Sequence, residues 1–129
     1  MKAKLLILED DLSIQKVYRS VFSRSADLEV IICKNDKEYY EAMELNQFDF
    51  FLIDLSLGQG KDGIEIIKEL RQNEQYKKVL IIVVSAFASK RDENECLKAG
   101  ATKFLRKPFD SKILLNEFSE LKSDKLKIL

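Results

Sequence analysis

Four points in the chain place a charged or hydroxyl side chain directly after an apolar run. Glu9 and Asp10 follow "KLLIL", Asp54 follows "FFLI", Ser85 follows "LIIVV", and Lys107 closes "KFLRK". All-oxygen ligands favour a hard cation such as Mg²⁺, which keeps waters and prefers one or two carboxylates plus phosphate oxygens. Glu9, Asp10 and Asp54 carry three negative charges when ionised, and clustered carboxylates do not all stay ionised without a cation. Lys107 and one divalent ion bring that sum to zero. Asp11 is then surplus, and its place at the head of an amphipathic stretch reads as a helix N-cap or first-turn charge.

Absent residue types narrow the chemistry further. The chain has no histidine, which removes Ser-His-Asp and Cys-His catalysis, histidine metal sites and a phosphohistidine carried by this chain. Cys33 and Cys96 lie far apart and fit no metal or redox spacing, so two reduced thiols are expected. Lys and Arg (22) balance Asp and Glu (22), so no net field draws the protein to nucleic acid or an anionic membrane. No apolar run approaches bilayer length and no secretory signal opens the chain, which points to a cytoplasmic protein without membrane contact. The 129 residues, 46% hydrophobic and 34% charged, suit one globular domain.

The elements that must position these residues alternate. Residues 4–8, 28–33, 48–53, 79–84 and 103–106 read as short strands. Between them Ile14, Val17, Tyr18, Val21 and Phe22 share one helical face. Tyr39, Met43 and Leu45 mark a second helix, with Asn35 and Glu38 at capping-box spacing. Ile64, Ile67 and Leu70 mark a third, opened by Asp62 and Glu65, and Ile113, Leu114, Phe118 and Leu121 mark the last. A fourth, within 89–100, is thinly apolar, with Cys96, Leu97 and Ala99 near its end. Such alternation predicts βαβ crossovers, a parallel sheet and helices on both faces: a three-layer α/β/α domain. The third and fourth runs are the most apolar and belong in the middle; Glu29, Lys103 and Arg106 suit edge strands. Ligands of open parallel sheets bind beyond the carboxyl ends of the strands, which is where Glu9, Asp10, Asp54, Ser85 and Lys107 fall.

In this order and spacing, the acidic pair, the single Asp54, "SA" at Ser85 and "KPF" at Lys107 resemble the receiver domains of two-component response regulators. The resemblance spans the chain, with residues 1–123 as the domain and 124–129 as a tail. It implies a flavodoxin-like (βα)5 fold with strand order 2-1-3-4-5. It implies that Asp54 accepts a phosphoryl group from a phosphohistidine on a histidine kinase or a histidine phosphotransfer protein. Mg²⁺ would be held by Glu9, Asp10, Asp54 and the main chain of Ser56. Ser85 and Lys107 would contact the phosphoryl oxygens, and Phe104 would fill space that Ser85 vacates. A cis Lys107–Pro108 bond would aim the ammonium, and Ser56 and Phe87 would tune the lifetime of the acyl phosphate. The surface altered for a downstream protein effector would be the fourth helix, fifth strand and fifth helix. The chain departs from the family pattern in "GQGKDG" (58–63), where the usual proline is Gly58 and the glycine arrives one residue late, at Gly63.

The expected class is a signalling module with only autocatalytic phosphorylation and dephosphorylation, not a turnover enzyme. A receiver portion of a longer regulator or hybrid kinase, and an unphosphorylated pseudo-receiver, are the alternatives closest to it. A phosphoester-cleaving enzyme with an aspartyl-phosphate intermediate would carry "DxDGT" in place of "EDDLS" at 9–13. A flavin carrier would need a hydroxyl- and glycine-rich phosphate loop there, where three carboxylates repel phosphate.

Overall fold

The computed structural model describes residues 3–23, 27–55, 63–86 and 89–107, together with Lys112 and Asn116. In chain order the elements are β1 (Ala3–Leu8), α1 (Leu12–Phe22), β2 (Leu28–Cys33), α2 (Asp36–Leu45), β3 (Phe50–Asp54), α3 (Gly63–Gln72), β4 (Leu80–Ser85), α4 (Lys90–Ala99) and β5 (Lys103–Arg106). All strands pair in parallel, in the order β2-β1-β3-β4-β5. This is the flavodoxin-like order, with β3 central and fully buried and with β2 and β5 at the edges. Lys112 and Asn116 are helical. Ile113, Leu114, Phe118, Leu121 and the tail 124–129 lie outside the described residues, as do Ser56, Phe87, Pro108 and the loop 58–62.

Strand alternation divides the core in two. Leu6, Leu8, Phe51, Ile53, Ile81 and Val83 face α2, α3 and α4, where Tyr39, Ile66, Ile67, Leu70 and Cys96 cover them. Leu5, Ile7, Phe50, Leu52, Ile82 and Val84 face α1, where Tyr18 and Phe22 cover them. Continuing the alternation past the last apolar residues sets the direction of the polar ones. Glu9, Asp54 and Lys107 follow Ile7, Leu52 and Leu105 on the α1 face, whereas Ser85 and Arg106 follow Val83 and Phe104 on the α4 face.

Several local expectations are corrected. β3 begins at Phe50 rather than Phe48, because Asp49 turns its side chain onto the chain beside it: the Lys4 N–H donates to Asp49 Oδ2 at 2.9 Å. On α1 the buried positions are Gln15, Tyr18 and Phe22, and Val17 is 53% exposed. Gln15 takes the inward place because its amide donates to the Glu9 carbonyl at 2.7 Å. Leu45, at the last turn of α2, is 84% exposed. The Asn35 side chain caps α2 by accepting from the Glu38 N–H, while the Glu38 carboxylate reaches back to the Lys34 N–H, one residue before the expected partner. Gly63 heads α3 where a Cβ would stand 3.1 Å from Leu55 Cδ2 and 3.2 Å from Ile53 Cγ2, so the helix start lies close against β3.

Candidate functional site

Asp11 is the N-cap of α1, its carboxylate accepting from the Ser13 and Ile14 N–H groups at 2.8 and 3.1 Å. That cap turns the chain sharply after β1 and leaves Glu9 and Asp10 at the strand's carboxyl end. Glu9 is 1% exposed, its own N–H donating to the Cys33 carbonyl, as if β1 were one residue longer. Asp10 is exposed beside it. Asp54 ends β3 and is 2% exposed.

Lys107 joins the two buried acids. Its backbone N–H donates to the Ser85 carbonyl at 2.9 Å, which extends the β4–β5 pairing by one residue and fixes where the side chain departs. Its ammonium lies 2.5 Å from Asp54 Oδ2 and 3.2 Å from Glu9 Oε1, with the side chain 16% exposed. Residues 9, 54 and 107, from three strands, thus meet at one end of the sheet. Ser85 is buried at the end of β4, in register with Arg106, and Phe104 is half-buried on the α4 face.

The electrostatics are unbalanced. Among the described residues, two buried carboxylates face one ammonium. Burial first, then the hydrogen bond and charge of Asp54, push the Glu9 carboxyl up to about 8. Burial works against the charge of Lys107, but the bond to Asp54 and the charges of both acids outweigh it and hold the ammonium above its ordinary value. The field extends down α1: burial, then the charges of Glu9 and Asp54, raise the Tyr18 hydroxyl, which is buried with no hydrogen-bond partner among the described residues. Among the described residues no group of three or more acidic or thiol side chains lies close enough to hold a metal by itself. Cys33 and Cys96 are free, buried thiols.

Comparison with known proteins gives this end of the sheet its context. The family model for the response regulator receiver domain matches residues 5–119. The chain belongs to the response regulator receiver domain family. Receiver domains are signalling modules of two-component systems, and this one resembles chemotaxis regulators. The chemotaxis protein CheY1 of Helicobacter pylori is 25% identical over 112 residues, 86% of this chain and 90% of that protein. The chemotaxis protein CheY4 of Vibrio cholerae superposes with a TM-score of 0.83 at 26% identity, covering 93% of this chain and 98% of that one. The receiver domain of the sensor histidine kinase PA1611 of Pseudomonas aeruginosa, with magnesium in its active-site cleft, superposes with a TM-score of 0.79 at 28% identity, covering 93% and 97%.

Two features of this receiver domain were missed in the sequence. Gln15, a polar residue outside the apolar pattern of α1, is buried with its amide on the Glu9 carbonyl. Arg106 looked like an edge-strand charge but lies 5.6 Å over the Phe104 ring and reaches Glu93 of α4. Its position two residues after Phe104, hence on the same face of β5, was the available clue.

Proposed function

We propose that this receiver domain is phosphorylated on Asp54 by a phosphohistidine of a partner kinase or phosphotransfer protein. The observation that carries the reading is the Lys107 ammonium bonded to a buried Asp54 and a buried Glu9 at the carboxyl end of a parallel sheet. An Asp54 carboxylate oxygen attacks phosphorus, the P–N bond breaks, and the imidazole nitrogen leaves with its electron pair. The attacking carboxylate has no proton to lose, so no general base is needed, and catalysis is positioning plus charge neutralisation. Lys107 neutralises phosphoryl oxygen and orients the acceptor. The absence of histidine is consistent with a donor on another molecule.

The donor set fits Mg²⁺. A buried acidic pair with one ammonium leaves positive charge wanting, and the raised Glu9 records that deficit. Mg²⁺ keeps waters and takes one or two carboxylates, which agrees with the lack of a self-sufficient acidic cluster among the described residues. Asp10, Asp54 and the Ser56 carbonyl would hold it, with Glu9 acting through a water, and when bound it would neutralise the transferring phosphoryl oxygens. Ser85 and Phe104 then serve as the switch, and the surface of α4, β5 and the following helix addresses a protein effector in the cytoplasm. Ser56 and Phe87 would set the lifetime of the phosphate. The reading is of a binding and signalling module, with neither nucleic acid nor membrane as its direct partner.

Incubation with Mg²⁺ and acetyl phosphate, followed by intact mass measurement, tests it. One base-labile phosphoryl group is expected on the wild type, none on Asp54→Asn, and slower labelling of Lys107→Gln. An adduct that survives in Asp54→Asn, or none on the wild type, overturns the assignment; the second result would favour an unphosphorylated interaction module.

A further inference from the structure

Arg106 engages both Phe104 and Glu93 on the α4 face. Its guanidinium carbon lies 5.6 Å from the centroid of the Phe104 ring, and Nη2 lies 3.7 Å from Oε2 of Glu93 on α4. Both residues of the ion pair are partly exposed. Arg106 is also the register partner of Ser85 and lies two residues beyond Phe104, on the same face of β5. We propose that the Glu93–Arg106 ion pair is a latch that holds Phe104 in its resting position and ties the first half of α4 to β5.

The rest of α4 is built for this role. Its first half carries a local device, the reciprocal capping box of Ser89 and Asp92, and none of its residues before Cys96 is buried. Its far end is anchored firmly. The Arg71 guanidinium of α3 donates to the carbonyls of Gly100, Tyr76 and Val79, at 2.8, 3.1 and 2.7 Å, and to the Thr102 hydroxyl at 3.3 Å. The Gly100 N–H also closes the helix onto Cys96 and Leu97. A helix anchored at its carboxyl end and tied to β5 near its head by an exposed ion pair pivots there when that pair opens. Displacing the Phe104 ring from its place 5.6 Å from the Arg106 guanidinium forfeits the cation–π contact, so the latch opposes the switch. Because the ring and the carboxylate share one guanidinium, their contributions are coupled rather than additive.

The latch rests on the phosphoacceptor reading, and its test separates the two. The eight phenylalanines are replaced by 4-fluorophenylalanine, and the Phe104 resonance is assigned with Phe104→Leu. In metal-free, unphosphorylated protein, Glu93→Gln and Arg106→Gln should each move that resonance toward its position in the beryllofluoride adduct. By linkage each should bind beryllofluoride with Mg²⁺ about three- to tenfold more tightly, the range expected for one partly exposed ion pair with a cation–π contact. The double variant should go no further than the better single one, and salt at about 1 M should move the wild type the same way. Unchanged resonance and affinity in both single variants, with the wild-type adduct still forming, overturn the latch alone. A wild type that forms no adduct at Asp54 overturns the phosphoacceptor reading and the latch with it.

Discussion

At the scale of single residues, the imbalance between two buried acids and one ammonium gives the site a pH signature. Glu9 titrates near 8 in the fold against an ordinary 4.5. Its protonated form is therefore the one the fold favours, and the contribution to stability is complete below about pH 4.5 and lost as pH rises through about 8. Lys107, also raised, loses its contribution only above its ordinary 10.5, outside this window. Metal-free protein should melt at a lower temperature at pH 8.5 than at pH 6, and Glu9→Gln should flatten the difference. Because the carboxylate must shed its proton to meet a cation, Mg²⁺ affinity should climb with pH, approaching about tenfold per unit below pH 8. Thermal melts and Mg²⁺ titrations across that range check both; a wild type whose affinity is level from pH 6 to 8 would remove Glu9 from the metal site. The identity of these acids was legible in the sequence because each interrupts an apolar run at a strand end. Their burial, and hence the raised Glu9, was not, since it depends on Gln15 and on how far Lys107 reaches inward.

At the scale of elements, the strands were readable and the helix faces less so. Continuous apolar runs can only be buried strands at this length, and period-two alternation then fixes both faces of the sheet. A helix face read from apolar positions alone assigned Val17 and Leu45 inward, because nothing in the pattern reveals that a glutamine amide is needed beneath Glu9 or that α2 ends before its last leucine finds cover. The junction of α3, α4 and β5 shows the same limit. Arg71 sits in the last turn of α3 as any surface arginine might, yet it satisfies three carbonyls from two other segments. Gly100 completes that junction with φ of 124°, and a Cβ there would stand 2.4 Å from Arg71 Cγ. Gly100→Ala should therefore destabilise by more than the roughly 1–2 kcal/mol of the left-handed backbone alone. In an Arg71→Ala background the collision is gone, and the same substitution should cost only that backbone portion. Denaturant melts of the four proteins decide it: an additive cycle would mean that the side chain simply steps aside.

At the scale of the whole molecule, the buried charge cluster and the proposed switch residues lie on opposite sides of one sheet. Glu9, Asp54 and Lys107 project on the α1 face, and Ser85, Phe104 and Arg106 on the α4 face, so any signal passes around the carboxyl ends of β4 and β5. Lys107 is suited to that passage, since its side chain touches Asp54 while its backbone N–H is bonded to Ser85. The two apolar cores hold this arrangement in place against the repulsion of the buried acids. That repulsion is a cost to folding which the domain bears for its function. Asp54→Asn leaves Glu9 and Lys107 as a balanced pair and relieves it. Metal-free Asp54→Asn at pH 8 should then melt about 3–6 °C above the wild type, the shift that roughly 1 kcal/mol makes in a domain of this size. Saturating Mg²⁺ should raise the wild type and leave the variant nearly unmoved, closing the gap. A variant that melts below the metal-free wild type would mean instead that the Lys107–Asp54 bond outweighs the crowding of charge, and that the site is at rest without a cation.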